Sequence, residues 1–430
     1  FEVAAHLKQL FYRVDVVFAG EASRLSADAQ SALAKWSAAD GRLHQSIPAD
    51  TRYDLVVDGL FGIGLQRPVA GRHAELIAQA NRLPGRKLAI DVPSGINADT
   101  GAVMGVAFRA SHTITFIARK PGLYTLDGPD HAGEISTAPI GLDAEALKPP
   151  QGRLVDANLL AAPLIVRPRN FHKGLAGSVA IIGGATGMVG AAFLAGRAAI
   201  RLGAGKVFLG LLAGAPPQVD VVQLELMLRD PDALLRGQSV AAVAVGPGMG
   251  TDANAQRLLA QSLGLEVPLV VDADALNLIA ASPPTQSALA VRKAASLLTP
   301  HPAEAARLLG LDTTTVQSDR VKAARSLAGR FKSWIALKGN GTVIAAPDGR
   351  WWINTSGNPG MASAGMGDVL TGIVASLLAQ GLGAETALLA GVYLHGAAAD
   401  RAVAEGRGPV GLTAGELVDA ARALLNLGTA

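Results

Sequence analysis

Cysteine is missing altogether from the 430 residues, which excludes disulfides, thiolate metal sites, iron–sulfur ligation and a cysteine nucleophile, and is compatible with a reducing compartment. Charge is sparse: 17% of the residues are Asp, Glu, Lys or Arg, and 38 basic against 35 acidic side chains leave a net charge of only +3. That balance is not the basic surface on which nucleic-acid affinity rests. No run of about 18 apolar residues passes without polar breaks, and no basic-then-apolar leader stands before residue 20. The expectation is a soluble cytoplasmic protein with neither a nucleic-acid nor a membrane partner. The loop G-x-x-x-x-G-K-[ST] is absent, so P-loop chemistry is not expected, and neither H-x-x-x-H nor a carboxylate cluster marks a transition-metal site. Apolar residues, by contrast, make up half the chain, enough for more than one buried core, and the length suits two or three domains.

The chain opens at Phe1 inside a periodic segment, FEVAAHLKQL, with Val3, Leu7 and Leu10 on one helical face and nothing ahead to cap it. The reading expects a start in mid-domain. Apolar runs at 12–20, 53–62, 88–95 and 112–118 alternate with helical patterns at 26–40 and 72–83, the mark of a parallel sheet covered on both faces. Active-site residues of such a sheet sit at the carboxyl ends of its strands, where Asp58 and Asp91 fall. Prolines and weak periodicity at 146–171 suggest a connection, which places one domain at 1–150 and a second at 151–430. In the second, strands are expected at 178–184, 206–212, 239–246, 268–273, 296–300, 333–339 and 341–347, an α/β doubly wound pattern.

The strongest local signal is INTSGNPGMASAGMGDVLTGIVASLL at 353–378. Backbone amides at Gly365, Met366 and Gly367 precede an apolar helix and suit an anion at its N-terminus. Asp368 beside them would repel a phosphate unless it had a task, such as taking a proton nearby; the plainer alternative is a helix cap. Lys338, Gly339, Asn340, Gly341 and Thr342 form a strand-turn-strand junction, either a seat for a nucleotide phosphate or a hairpin with a solvated lysine. GGATGMVGAA at 183–192, VGPGMG at 245–250 and VVDADALN at 270–277 also end strands; singly each reads as a tight turn, but together they converge on one sheet edge. LTPHPAEAARLLG puts His301 at a strand end, able to orient a carbonyl or amide, with Glu304 opening the next helix as a first-turn acid. His395, inside a helical stretch, reads as a packed or interface histidine rather than a ligand.

Taken together, HKGLAGSVAIIGG, GMVGAAFLAGRAAIRLGAG, GPGMG, DADALN, LTPHPAEAARLLG, LKGNGTVIAAPDG and NPGMASAGMGDVLTGIVASLLAQG resemble the carbohydrate-kinase-like NAD(P)H-hydrate dehydratases, and VVDGLFGIGL with IDVPSGINADTG resembles their fused NAD(P)H-hydrate epimerase domain. The resemblance covers the whole chain and implies a ribokinase-like fold after a Rossmann-like one. It implies repair of hydrated NADH or NADPH: epimerisation of the R and S hydrates, then ADP-dependent dehydration of the S form, with magnesium, potassium and ADP, or ATP, as requirements, in a homo-oligomer. By the same resemblance Asp368 is the base and Gly365, Met366 and Gly367 the anion hole, while Lys338 through Thr342 hold the nucleotide. Ala191, Gly248 and His301 would contact the hydrated nucleotide, and Asp272 and Asn277 would position substrate or hydrated magnesium. The family's HPGE appears as HPAE, with Ala303 in the glycine position, a mild change. In the first domain Asp91 matches the acid/base carboxylate, Asp58 a potassium ligand and Ser94 a contributor to that site. The family's GNNGGDG loop would precede Phe1, so the resemblance implies an N-terminally truncated chain with a dehydratase and an impaired epimerase. The alternative is a small-molecule kinase of the hydroxymethylpyrimidine or sugar type, its first domain serving only interaction.

Overall fold

The computed structural model describes residues 1–49, 51–155, 157–160, 167–237 and 239–427. They fall into two units, residues 1–123 with 127–147, and residues 124–126 with the chain from 148 onward.

In the first unit β1 (Val16–Val17) runs parallel to β2 (Leu43–His44). A separate parallel sheet carries β3 (Leu55–Asp58), β4 (Arg86–Ile90), β5 (His112–Phe116) and β6 (Glu134–Ala138) in that order. The helix Gly71–Arg82 buries Leu76 and Ile77, and Ile77 packs with Val69, Ala89 and Phe108 in this unit's core. Strand β6 escapes the sequence reading because its side chains are mostly exposed, so it has no apolar run to betray it. The helix Glu2–Gln9 forms as expected, but Val3 and Leu10 on its apolar face are exposed and only Ala5 is buried.

The second unit is built on a ten-stranded sheet. Its strands are β7 (Arg153–Leu154), β8 (Ser178–Gly183), β9 (Lys206–Leu211), β10 (Met227–Arg229), β11 (Ala242–Val245), β12 (Leu269–Val271), β13 (Ser296–Leu298), β14 (Trp334–Leu337), β15 (Thr342–Ala345) and β16 (Trp351–Asn354). They lie in the order β10-β9-β8-β11-β12-β13-β14-β15-β16-β7, parallel except where β15 runs against β14 and β16. Successive side chains of a strand point to opposite faces, and the two cores record this directly. Val179, Ile181, Val207, Leu209, Ala242 and Ala244 line one face with the helices Val189–Arg201, Met366–Ala379 and Ala384–Ala404. Ala180, Ile182, Phe208, Val243 and Val245 line the other with Ala253–Leu263, Ala273–Ala281 and Arg320–Phe331. The sheet is thus doubly wound, as its unbroken apolar runs predict. The strands are shorter than those runs, mostly because their last residues bend into loops, while β11 also starts three residues late. Among the described residues no helix is long and apolar enough to cross a membrane.

Candidate active sites

Strand order assembles the second unit's site. From β8 the sheet grows to one side through β9 and to the other through β11, so the loops after β8 and β11 meet where the winding reverses, the usual ligand crevice of an open α/β sheet. They are laced together: Gly184 N–H donates to Pro247 O at 2.9 Å and Ala185 N–H to Gly248 O at 2.6 Å. A Cβ on Gly248 would stand 3.1 Å from that of Ala191, so these two expected site residues are neighbours. Parallel neighbours end on the same side, and β12, β13 and β14 deliver Asp272, then Thr299 to Glu304, then Lys338 along that edge.

Lys338 Nζ donates to Asp272 Oδ1 at 2.8 Å, and Thr371 Oγ1 donates to Asp272 Oδ2 at 2.9 Å. The aspartate is 1% exposed. Its partners are far away in sequence, so only the fold joins them. The helix Met366–Ala379 starts on this pair: Gly365 caps it with φ of 88°, and a Cβ on Gly367 would lie 3.3 Å from Lys338 Nζ and 3.4 Å from Asp272 Oδ2. Amides of a first helical turn have no intrahelical acceptor, so Gly365, Met366 and Gly367 offer donors beside a lysine, a seat for phosphate oxygens.

Charge is unevenly tuned here. Burial alone would raise Asp272, but the charge and hydrogen bond of Lys338 outweigh it and hold the carboxyl below its ordinary value. Burial likewise would lower Lys338, yet Asp272 and Glu304 keep it above its usual range. Asp368 is in no ion pair among the described residues: burial first, then the charge of Asp272, push it up to about 6 against the opposing charge of Lys338. An aspartate so poised is a base that works near neutrality. Glu304 is pushed up to about 7, chiefly by burial.

His301 and Glu304 form a reciprocal cap on the helix Pro302–Leu309. Ala303 N–H donates to His301 Nδ1 at 3.1 Å, and His301 N–H donates to Glu304 Oε2 at 2.8 Å. With Nδ1 accepting, a neutral ring carries its proton on Nε2, 3.2 Å from Glu304 Oε1. Glu304 is therefore more than a first-turn acid, being buried and in the electrostatic reach of Lys338. Asn277 is occupied elsewhere, its Oδ1 accepting from Arg307 Nη1 at 2.8 Å. In the turn after β14, Thr342 Oγ1 donates to Gly339 O and Asn340 Nδ2 to Leu126 O, so both side chains shape the turn itself. His395 is buried, as expected of a packed histidine. Sequence reasoning missed Thr371 and Asp274. Thr371 stands three residues after Asp368 on one helix, a spacing that puts both on one face. Asp274 accepts from Gly250 N–H at 2.8 Å and adds its charge to the upward push on Asp368.

In the first unit Asp58 ends β3 and Asp91 follows β4, so adjacent parallel strands bring both to one edge. Ser94 Oγ donates to Asp58 Oδ1 at 2.6 Å and Ser94 N–H to Asp58 Oδ2 at 2.7 Å. Burial raises the Asp58 carboxyl, and among the described residues no cation pairs with it. A desolvated carboxylate beside a hydroxyl is a donor set suited to a monovalent cation. Asp91, at φ of 68°, accepts from Lys120 Nζ at 2.5 Å, Phe116 N–H at 3.0 Å and Thr115 Oγ1 at 3.2 Å. Lys120 was not legible as a partner because it stands at a loop position between two strand ends.

The chain is also similar to known proteins in sequence and fold. Residues 179–422 match the family model described as NAD(P)H-hydrate dehydratase, and residues 1–122 match one described as YjeF-related protein N-terminus. The bifunctional NAD(P)H-hydrate repair enzyme Nnr of Coxiella burnetii is 41% identical over 381 residues, 87% of this chain and 76% of that protein. Its Escherichia coli counterpart is 37% identical over 425 residues, 96% of this chain and 80% of that protein. Among solved structures, the ADP/ATP-dependent NAD(P)H-hydrate dehydratase of Bacillus subtilis co-crystallized with ATP and Mg2+ superimposes with a TM-score of 0.56 at 31% identity, covering 64% of this chain and 97% of that one.

Proposed function

Because the chain belongs to the NAD(P)H-hydrate dehydratase family and carries a YjeF-related N-terminal unit, we propose that it repairs hydrated nicotinamide dinucleotides. Residues 151–430 would dehydrate (6S)-NAD(P)HX to NAD(P)H, consuming ADP, or ATP in its place, and residues 1–150 would interconvert the 6R and 6S hydrates. The observation that carries the reading is the Asp368 carboxylate, raised to about 6, at the start of a helix that rests on the Lys338 to Asp272 ion pair.

Hydroxide is a poor leaving group from the hydrated ring, and phosphorylation converts it to a good one. Asp368 removes the substrate hydroxyl's proton as that oxygen attacks the β-phosphorus of ADP, and AMP leaves. Lys338 and the amides of Gly365, Met366 and Gly367 meet the charge that gathers on the phosphoryl oxygens. Expulsion of phosphate, driven by the ring nitrogen's lone pair, and loss of the neighbouring ring proton then restore the dihydronicotinamide. Ala191, Gly248 and His301 line the hydrate's side with Asp272 positioning beside them, while Asn277 is engaged by Arg307. A hydrated magnesium ion carried on the phosphates would neutralise their charge, with Asp272 the carboxylate placed to meet its waters. In the first unit Asp91, held by Lys120, would move the proton at the epimerised carbon, with potassium held by Asp58 and Ser94. The reading implies a cytoplasmic setting, in keeping with a cysteine-free chain, and a homo-oligomer.

The test follows the return of near-ultraviolet absorbance when the chain meets a mixed R/S preparation of hydrated NADH with magnesium, potassium and ADP. Recovery of the S fraction alone means a dehydratase without epimerase; rapid complete recovery means both activities. Absence of ADP-dependent recovery would sink the reading and favour the small-molecule kinase.

A pH profile is a second expectation. The base must be ionised, so kcat/KM for dehydration falls about tenfold per pH unit below about 6, where Asp368 takes up its proton, and levels off above. The Glu304→Gln variant should keep this acid limb; its disappearance would assign the limb to Glu304.

A further inference from the structure

The turn after β14 is clasped from outside by groups that neither the mechanism nor the motifs use. Arg320, 1% exposed, opens the helix Arg320–Phe331 and spreads its guanidinium beneath the turn. Its Nη2 donates to Leu337 O at 3.1 Å and Lys338 O at 3.2 Å, its Nη1 to Gln317 Oε1 at 2.6 Å and its Nε to Thr125 Oγ1 at 3.0 Å. The Thr125 hydroxyl has one proton, and the oxygens within its reach are Gly341 O at 3.1 Å and Asn340 O at 3.2 Å. Leu126 N–H donates to Asn340 O at 3.2 Å, and Asn340 Nδ2 returns a bond to Leu126 O at 2.7 Å. Residues 124–126 belong by packing to the second unit, although residues on either side of them belong to the first.

The two glycines of the turn answer to this clasp. Gly339, at φ of +137°, would place a Cβ 2.9 Å from both terminal nitrogens of Arg320, and Gly341, at φ of +62°, would place one 1.9 Å from Tyr124 O. Their positive φ already favours glycine, and the protein's own arginine and backbone press against the turn besides. No carboxylate pairs with Arg320 among the described residues: all its acceptors are neutral oxygens, and burial lowers it only to about 10, so it stays charged at neutral pH. A buried cation without a counter-ion is costly and is kept where it fixes a structure or meets an anion.

We propose that Arg320 is the positioning residue of the nucleotide seat, that Thr125 relays its hold to Asn340 and Gly341, and that Tyr124–Leu126 is thereby a working part of the ADP site. This rests on the reading of Lys338 through Thr342 as the nucleotide turn. Lysine at 320 keeps the charge but has a single nitrogen, which cannot span Thr125, Gln317 and two carbonyls at once.

The test titrates ADP calorimetrically into the full chain and its Arg320→Lys, Thr125→Val and Thr125→Ser variants, with thermal melts to establish folding and KM values for ADP and for the S hydrate. Arg320→Lys and Thr125→Val should weaken ADP by about tenfold or more, since hydrogen bonds to a charged group are lost, while hydrate KM stays within about twofold and Thr125→Ser within about threefold of the parent for ADP. Should Arg320→Lys fail to fold, the valine and serine pair decides. Unchanged ADP affinity in the folded variants, or equal losses toward ADP and hydrate, overturns the proposal. A parent chain that binds no ADP overturns instead the reading beneath it, and the two failures are told apart by that first titration.

Discussion

Asp368→Asn is expected to lower kcat for ADP-dependent dehydration by about 10²- to 10⁴-fold, the span associated with removing a positioned general base. The amide keeps the shape of the side chain but cannot take the substrate's proton. ADP affinity should hold or tighten, because a negative charge beside the phosphates disappears. Stability should rise as well. A carboxyl whose folded value is raised from 3.8 to about 6 destabilises the fold progressively as pH climbs through that window, and the full penalty stands above it. Replacing it with a neutral amide therefore stabilises the protein at pH 7 by about 1–3 kcal/mol, a gain that vanishes in acid. Steady-state kinetics with a denaturant melt at two pH values checks both. A variant that is inactive and also less stable at neutral pH would mean that Asp368 serves chiefly as a structural group.

Lys338→Met should damage the fold of the second unit strongly. It leaves Asp272, 1% exposed, with the Thr371 hydroxyl in place of a cation, and breaking a buried pair on one side costs about 3–5 kcal/mol. ADP-dependent activity should vanish with it. The ion pair's own contribution has a defined pH sense: Asp272 is depressed in the folded state, so its stabilisation is present above 3.8 and is lost as pH falls through its folded value. Pairing Lys338→Met with Asp272→Asn separates the two roles. The double variant removes both charges and should recover most of the stability, while ADP binding stays lost because the phosphates have no lysine to meet. Recovery of ADP affinity in the double variant would show that Lys338 holds the fold and not the nucleotide.

Much of the architecture was open to reading along the chain. Unbroken apolar runs such as SVAIIGG and SVAAVAVG required strands buried on both faces, and parallel strands necessarily put the loops after them on one edge. Asp58, Asp91 and Asp272 were placed at strand ends by this argument alone, and Asp368 by the small residues ahead of its helix. Short edge elements were not legible. Strands β6 and β10 expose too much of their surface, or are too brief, to leave a periodic trace.

Which of these groups touch is set by the long-range fold alone. Lys338 and Asp272 are separated by 66 residues and Arg320 and Thr125 by 195, and no local pattern encodes a partner at such distance. The charge states follow the same division. A carboxylate at a strand end is visible in the sequence, but whether it is depressed like Asp272 or raised like Asp368 depends on its burial and on the sign of the nearest charge. Local pattern was enough for most of the buried strands, the edge on which their loops gather and the residue types available there. Long-range packing determined that Asp368 stays outside any ion pair among the described residues, while Asp272 is paired with Lys338 and Arg320 is turned onto the carbonyls of Leu337 and Lys338.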